Sequence, residues 1–379
     1  MAEQLSLTND DIDRVENEDY LTQQLITYIG NKRSLLTFIG DGVYEVTRKL
    51  GKKKLDVFDV FSGSGVVARY LKQFSRKLYV NDIEKYAQVI NECYLANRSE
   101  VDDKHLRTVY IELKDKLNTR EFREGFISEL YAPKNDKEIK IGERVFYTTR
   151  NAKYIDTARQ YIEEIDQNNR KYFLAPLLSE ASIHANTSGV FKGFYKDRES
   201  GIGEFGGKNR DALYRIKGDI DLPYPVFSNF ECEVDIHRGD ANQIAEIIPE
   251  VDVAYLDPPY NQHPYGSNYF MLNLIVDYIR PRNISKVSGI PEDWYRSDYN
   301  KSRQAKIALE DLVKKLKAKF LMVSFNSEGF ISKDEMKCIL EEIGKVNILE
   351  RKYNTFRGSR NLNDRNIHVK EYLFLVEKK

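Results

Sequence analysis

Long hydrophobic runs are missing from this 379-residue chain. No apolar stretch approaches the roughly 20 residues that a membrane-spanning helix needs, which excludes a transmembrane reading. Cysteine is scarce, and Cys93, Cys232 and Cys338 lie far apart, so neither a disulfide framework nor a zinc spacing is available. Five scattered histidines offer no metal cluster, and no metal is expected. Net charge is also absent, 59 basic residues facing 59 acidic ones. That balance hides an asymmetry: the first twenty residues carry seven acids and one base. The rest of the chain is correspondingly basic and can meet a polyanion. The acidic start resembles neither a signal peptide nor an Arg-rich transit peptide. Internal repeats and low-complexity tracts are lacking too. A protein of the reducing cytoplasm, with one large domain or two ordinary ones, is the expectation.

What is present is a rhythm of short apolar strands and helical stretches. Residues 55–61 are apolar, β-branched and end at Ser62-Gly63, which predicts a buried strand running into a turn. Helical spacing follows over 66–74, a strand over 77–81 and a helix over 83–97. Further strands are expected at 232–237, 252–256, 319–325 and 371–376, with a helix over 303–316. This alternation predicts an α/β fold with a mostly parallel sheet covered on both faces. From about 101 to 230 the rhythm breaks into a polar, helix-rich region with glycines from Ser188 to Gly218. It is too long for a simple crossover and reads as an inserted subdomain. The chain therefore divides into an acidic segment at 1–19, a main domain at 20–100 and 231–379, and an insert at 101–230.

Two motifs carry chemistry. In Asp59-Val60-Phe61-Ser62-Gly63-Ser64-Gly65 the glycines permit close backbone approach, and the next helix aims its N-terminus at the same place. Gly63-Ser64-Gly65-Val66-Val67-Ala68 fits a dinucleotide fingerprint, with Asp82 about the right distance on for a ribose hydroxyl. The pattern does not separate a dinucleotide from another adenosine-containing cofactor. Asp59, an acid inside a strand, makes most sense facing a cationic ligand.

The second motif is a strand ending in Asp257-Pro258-Pro259-Tyr260. Two prolines fix φ and supply no backbone donors, so the turn is stiff and rich in acceptors. Such a turn suits a planar molecule bearing an amino group. Asp257 and the Pro258 carbonyl would each accept one N–H, and Tyr260 would stack on the ring. An exocyclic amine is a poor nucleophile because its lone pair is delocalised. Two fixed acceptors favour its pyramidal form and free that pair for attack.

With both motifs in place the chain resembles the adenine-N6-specific DNA methyltransferases. Tyr28-Ile29-Gly30-Asn31-Lys32, the glycine turn, a long insert and then Asp-Pro-Pro-Tyr follow the alpha-group order of the D12-like, type II restriction–modification methylases. The resemblance covers about 25–98 and 230–379. It implies a class I, Rossmann-like sheet using S-adenosylmethionine, with the insert as a mostly helical target-recognition domain. It also implies that Tyr28, Gly30, Asn31 and Lys32 hold the methionine end of the cofactor, Lys32 reaching its carboxylate. Asp59, Phe61, Gly63 and Gly65 would form the pocket floor, Asp59 meeting the amino group. Asp82 would accept from the ribose, Ile83 would pack on the cofactor's adenine, and Asp240 with Ala241 would receive that adenine's amine. The implied partner is double-stranded DNA, the target base being flipped from the duplex, with a cognate restriction endonuclease acting separately.

Residues 261–269 are dense in hydrogen-bonding and stacking groups, and Tyr265, Asn268 and Tyr269 are expected to help hold the extruded base. His263 reads as a loop histidine rather than a base. Four bases and two aromatics between Arg351 and Arg360, among them Arg357, suit phosphate contacts. Lys192 and Lys196, in the glycine-rich part of the insert, are candidates to approach DNA. A nicotinamide-dependent oxidoreductase would explain the glycine turn but leave Asp257-Pro258-Pro259-Tyr260 without a task. An RNA or protein-glutamine methyltransferase would share the fold, though those relatives more often carry Asn where this chain has Asp257. A non-catalytic DNA-binding module would need neither motif.

Overall fold

The structure is a computed structural model that describes residues 15–118, 121–207, 210, 212–259, 261–326, 329–354 and 368–379. Its described strands are β1 (Leu55–Asp59), β2 (Ser75–Asp82), β3 (Glu233–Arg238), β4 (Val251–Leu256), β5 (Ala318–Asn326), β6 (Gly344–Asn354) and β7 (His368–Lys378). They form one sheet in the order β3-β2-β1-β4-β5-β7-β6. From β3 to β5 all neighbours are parallel, while β7 runs antiparallel to both β5 and β6. The strand order reverses between β1 and β4, so the crevice at their carboxyl ends is where an open α/β sheet takes its ligands.

Both faces of the sheet are apolar because successive side chains alternate between two cores. Phe58, Ala254, Leu256, Leu321, Val323 and Phe374 pack on one side against helices Ser302–Lys315 and Lys333–Ile343. Val57, Val253, Tyr255, Met322 and Leu373 pack on the other against helices Leu36–Leu50 and Val66–Lys72. Helix Lys333–Ile343 starts at a capping box, Ser332 Oγ accepting from the Glu335 amide and the Glu335 carboxylate from the Ser332 amide. Expected strands at 55–61, 77–81, 252–256 and 319–325 coincide with β1, β2, β4 and β5. The helix expected from residue 83 starts instead at Lys85, because the Asp82 side chain accepts from the Glu84 amide (2.9 Å) and holds that turn open. The edge strand β6 and helix Leu36–Leu50 carry mixed polar sequence and were not foreseen.

A third core fills the region of the insert. Helices Asp103–Leu117, Thr149–Glu164 and Gln167–Ile183 contribute Leu106, Ile155 and Phe173, and the same cluster includes Tyr86, Ile90, Phe270 and Met271. The helix after β2 and the helix after the Asp-Pro-Pro turn therefore share their packing with the insert. Positions read from either side of the insert are coupled through apolar contact.

Candidate active site

The carboxyl ends of β1, β2, β3 and β4 surround a cavity of about 800 Å³, part of it open to solvent. Backbone joins its rim: the Ser62 amide donates to the Asn81 carbonyl (2.9 Å) and the Gly239 amide to the Asp82 carbonyl (3.1 Å). The Asn81 amide group donates to the carbonyls of Val60 and Gly239, both at 3.2 Å. Three strand ends are thus tied by one buried asparagine.

Ten of the twelve residues expected to hold the cofactor reach this cavity: Tyr28, Gly30, Asn31, Lys32, Phe61, Gly63, Asp82, Ile83, Asp240 and Ala241. Asp59 and Gly65 do not line it. Asp59 is fully buried, and burial beside Asp257 and Asp82 pushes its carboxyl well above the usual range. Gly65 sits at φ +74°, where an added Cβ would lie 2.8 Å from Asn91 Oδ1, so packing behind the turn explains this glycine. Gly63 also has positive φ (+52°), and a Cβ there would strike the Tyr28 ring.

Asp82 holds the glycine turn through Oδ2, which accepts from the Gly63 amide (2.7 Å), while Oδ1 accepts from the Glu84 amide. Burial raises its carboxyl and the amides offset only part of that. Asp240 caps helix Ala241–Ile247 by accepting from Asn242 N (3.0 Å), and the Tyr295 hydroxyl donates to its other oxygen (3.3 Å). Sequence reasoning missed Glu84, Tyr295, Ser297 and Tyr299, all on the cavity wall. Glu84 accepts from Asn273 Nδ2 (2.6 Å), and burial lifts its carboxyl to about 7. The position of Glu84 two residues beyond Asp82 was its available signal. The Tyr299 ring meets Phe61 edge-on, centroids 5.2 Å apart, and no motif marks it.

The Asp257-Pro258-Pro259 turn follows β4 directly, and Asp257 and Pro259 face the cavity while Pro258 is buried. Lys32 Nζ lies 3.1 Å from Asp257 Oδ1 and 3.0 Å from Glu371 Oε1. The lysine thus stands between two carboxylates, and the reach toward a cofactor carboxylate expected of it competes with both. Glu371 arrives because antiparallel β7 begins at the edge where β5 ends, Glu371 pairing with Asn326. Its Oε1 also accepts from Ser324 Oγ (2.7 Å). Burial raises the Asp257 carboxyl to about 6; Lys32 draws it down and Glu371 pushes it up. At neutral pH Asp257 is therefore mostly an acceptor-only carboxylate.

Tyr28 is sandwiched between Tyr265 and Tyr269, with centroids 4.9 and 4.8 Å away. The Ile29 amide donates to the Tyr269 hydroxyl (2.7 Å), and the Tyr265 hydroxyl donates to the Ile29 carbonyl (3.2 Å). Tyr265 faces the cavity, whereas Tyr269 and Asn268 are buried: Tyr269 holds the Tyr28 segment, and the Asn268 carbonyl accepts from the Phe191 amide. Lys192 is exposed; Lys196 lies over the Phe194 ring at 4.6 Å. Tyr260, Arg357 and Arg360 lie outside the described residues. Arg351, at the start of the basic stretch, is used internally, donating to Thr37 Oγ1 (2.8 Å).

A sheet with its seventh strand inserted antiparallel between the fifth and sixth, and an Asp-Pro-Pro turn opening on the β1–β4 crevice, is that of a Rossmann-like methyltransferase. The profile of the D12 class N6 adenine-specific DNA methyltransferases matches residues 28–339, and the chain belongs to that family. It is 30% identical over 366 residues to the type II methyltransferase M.NlaIII of Neisseria lactamica, covering 93% of this chain and 99% of that one. It is 28% identical to the type II methyltransferase M.CviAII of Paramecium bursaria Chlorella virus 1, covering 93% and 98%. A solved structure from Thermoplasma acidophilum aligns over 92% of the chain at 8% identity with a TM-score of 0.32, too low to add to the argument. Among the described residues no helix is long and apolar enough to cross a membrane.

Proposed function

We propose that the enzyme takes S-adenosylmethionine as methyl donor and modifies an adenine extruded from a short duplex sequence, as the modification component of a restriction–modification system. The observation that carries this reading is Asp257, an ionised acceptor on the wall of the same cavity that the glycine turn, Asp82 and Asp240 enclose.

The residues present suit that cofactor. Asp82, Glu84 and Asp240 supply acceptors for hydroxyl and amino groups, and Ile83, Phe61 and Tyr299 supply apolar walls for a purine. Backbone at Gly30, Asn31 and Gly63 borders the remaining side. When bound, S-adenosylmethionine supplies an electrophilic methyl on a sulfonium. The protein's own work is at the target amine. Asp257 and the Pro258 carbonyl accept its two N–H groups, and the stiff turn keeps both acceptors fixed while positive charge develops on nitrogen. Tyr260 stacks on the extruded ring. Lys32 keeps Asp257 ionised, and the Tyr28 stack anchors the segment carrying Lys32. The insert at 101–230 reads the target sequence, Lys192 and Lys196 approaching DNA, and Arg357 and Arg360 contacting its phosphates.

Incubation with S-adenosylmethionine and unmodified genomic DNA, followed by sequencing that detects methylated bases, tests this directly. N6-methyladenine confined to one short sequence is the expected result. Methylation of RNA or protein alone, or of cytosine, would overturn it.

A further inference from the structure

Beside the cofactor cavity, on the far side of an extended segment, lies a second concavity of about 900 Å³, much of it open to solvent. The segment at 294–297 divides the two: Tyr295 and Ser297 line the cavity, and Trp294 and Arg296 line the outer groove. Alternation of this kind is what extended backbone gives. The facing wall is Lys192 from the insert, and the floor includes Gln262 and Pro264 from the loop after the catalytic turn. Pro264 borders the groove and its neighbour Tyr265 borders the cavity, so the two hollows meet at that loop.

We propose that this groove seats the target strand next to the extruded adenine, Lys192 and Arg296 binding the phosphate beside it and Trp294 packing on the adjoining base. The inference rests on the reading of the enzyme as a base-flipping DNA methyltransferase. A flipped nucleotide stays joined to its neighbours through both flanking phosphates, so that backbone must pass the mouth of the catalytic pocket. The groove opens at that mouth.

Its chemistry fits an anion. Neither Lys192 nor Arg296 has an ion-pair partner among the described residues, and the lining includes a single carboxylate, Glu292. Burial and the charge of Arg296 hold the Lys192 ammonium below its ordinary range. Burial and Lys192 do the same to His263 on the adjoining loop. Two cations turned toward one hollow concentrate positive potential there. The walls are also fixed in advance. Phe191 is buried and its amide donates to the Asn268 carbonyl (2.7 Å), which sets the position of Lys192. Across the groove the Ser285 amide donates to the Ile290 carbonyl (2.8 Å) and the Ile290 amide to Ser285 Oγ (3.0 Å). Lys196 lies outside the lining.

The test uses full-length protein and a duplex bearing the methylated site once sequencing has located it. Binding is measured over a salt series, with and without a neutral methylphosphonate in place of a phosphate flanking the target adenine. Wild type should lose roughly tenfold in affinity on the target-strand replacement, and the logarithmic salt slope should fall by about 1. Arg296→Ala and Lys192→Ala should lose as much on unmodified duplex and respond little to the replacement. Lys196→Ala, outside the groove, should keep the full wild-type response to the replacement, and unchanged affinity for S-adenosylhomocysteine shows that each variant is folded. The proposal is overturned if both variants bind and respond as wild type, or if only replacements on the complementary strand matter. Failure of wild type to methylate any DNA would instead overturn the underlying reading.

Discussion

On the β2 side of the cavity, Asp82 is held by peptide amides, from Gly63 and from Glu84, and its place is set by backbone alone. On the β4 side, Asp257 is held by one ammonium, which it shares with Glu371 across three distant parts of the chain. Amide donors cannot be titrated or removed by side-chain substitution. An ammonium beside a buried carboxylate draws its titration down, as Lys32 does for Asp257. On the proposed reading, the side with Asp82 serves the cofactor with constant shape, and the side with Asp257 serves the chemistry with a chosen charge. Breaking one should cost binding, and breaking the other should cost chemistry and its pH dependence.

The largest effect is expected at Asp257 itself. On the proposed mechanism Asp257→Ala removes one acceptor from the target amine and should slow single-turnover methyl transfer by roughly 100- to 1,000-fold, with S-adenosylhomocysteine affinity nearly unchanged by calorimetry. Equal losses in both measurements would erase the contrast between the two sides. Next comes Lys32→Met, which leaves Asp257 and Glu371 facing each other without their cation. Removing one partner from a buried charge cluster costs on the order of 3–5 kcal/mol, which chemical denaturation will read. Lys32→Arg should recover most of that loss.

Glu84 sharpens the comparison on the cofactor side. Its carboxyl rises from the ordinary value of 4.5 to about 7 in the folded protein, so the fold favours the protonated form. Stability from this group is fully present below the unfolded value and is lost as pH rises through about 7. Glu84→Gln should therefore stabilise the protein at pH 8, by up to ~3 kcal/mol, and by much less at pH 5. An equal effect at both pH values would mean that burial does not control this carboxyl. The smallest effect is expected from Asp82→Asn. Its remaining oxygen can keep one of the two amide contacts, so cofactor affinity should weaken by about tenfold with little change in the pH dependence of transfer.

Much of this site was legible in the chain because local chemistry wrote it there. The glycine turn, Asp82 and the Asp-Pro-Pro turn each end a short apolar strand, and parallel topology gathers such ends at one edge. Asp59 and Gly65 lie behind the cavity wall, because a motif names residues without saying which face the ligand and which face the helix behind. Glu371 was hidden for another reason. It lies on a strand legible from 371–376 as core, but only the antiparallel insertion of β7 brings the start of that strand to the catalytic edge. Tyr269 and Asn268 looked like groups for a base because their loop is polar and aromatic. The burial of Tyr269 follows from its stack on Tyr28 and its bond to the Ile29 amide, 240 residues away, which no local pattern encodes.

The pH profile of single-turnover methyl transfer, at saturating cofactor and DNA, bears most directly on the claim that Lys32 and Glu371 set the charge of Asp257. Wild type should show an acidic limb near pH 6, where Asp257 gains its proton. Lys32→Met should move that limb to higher pH, because the charge that draws the carboxyl down is gone. Glu371→Gln should move it to lower pH, because the opposing charge is gone. Limbs that stay in place in both variants, or that move in the same direction, would contradict the account.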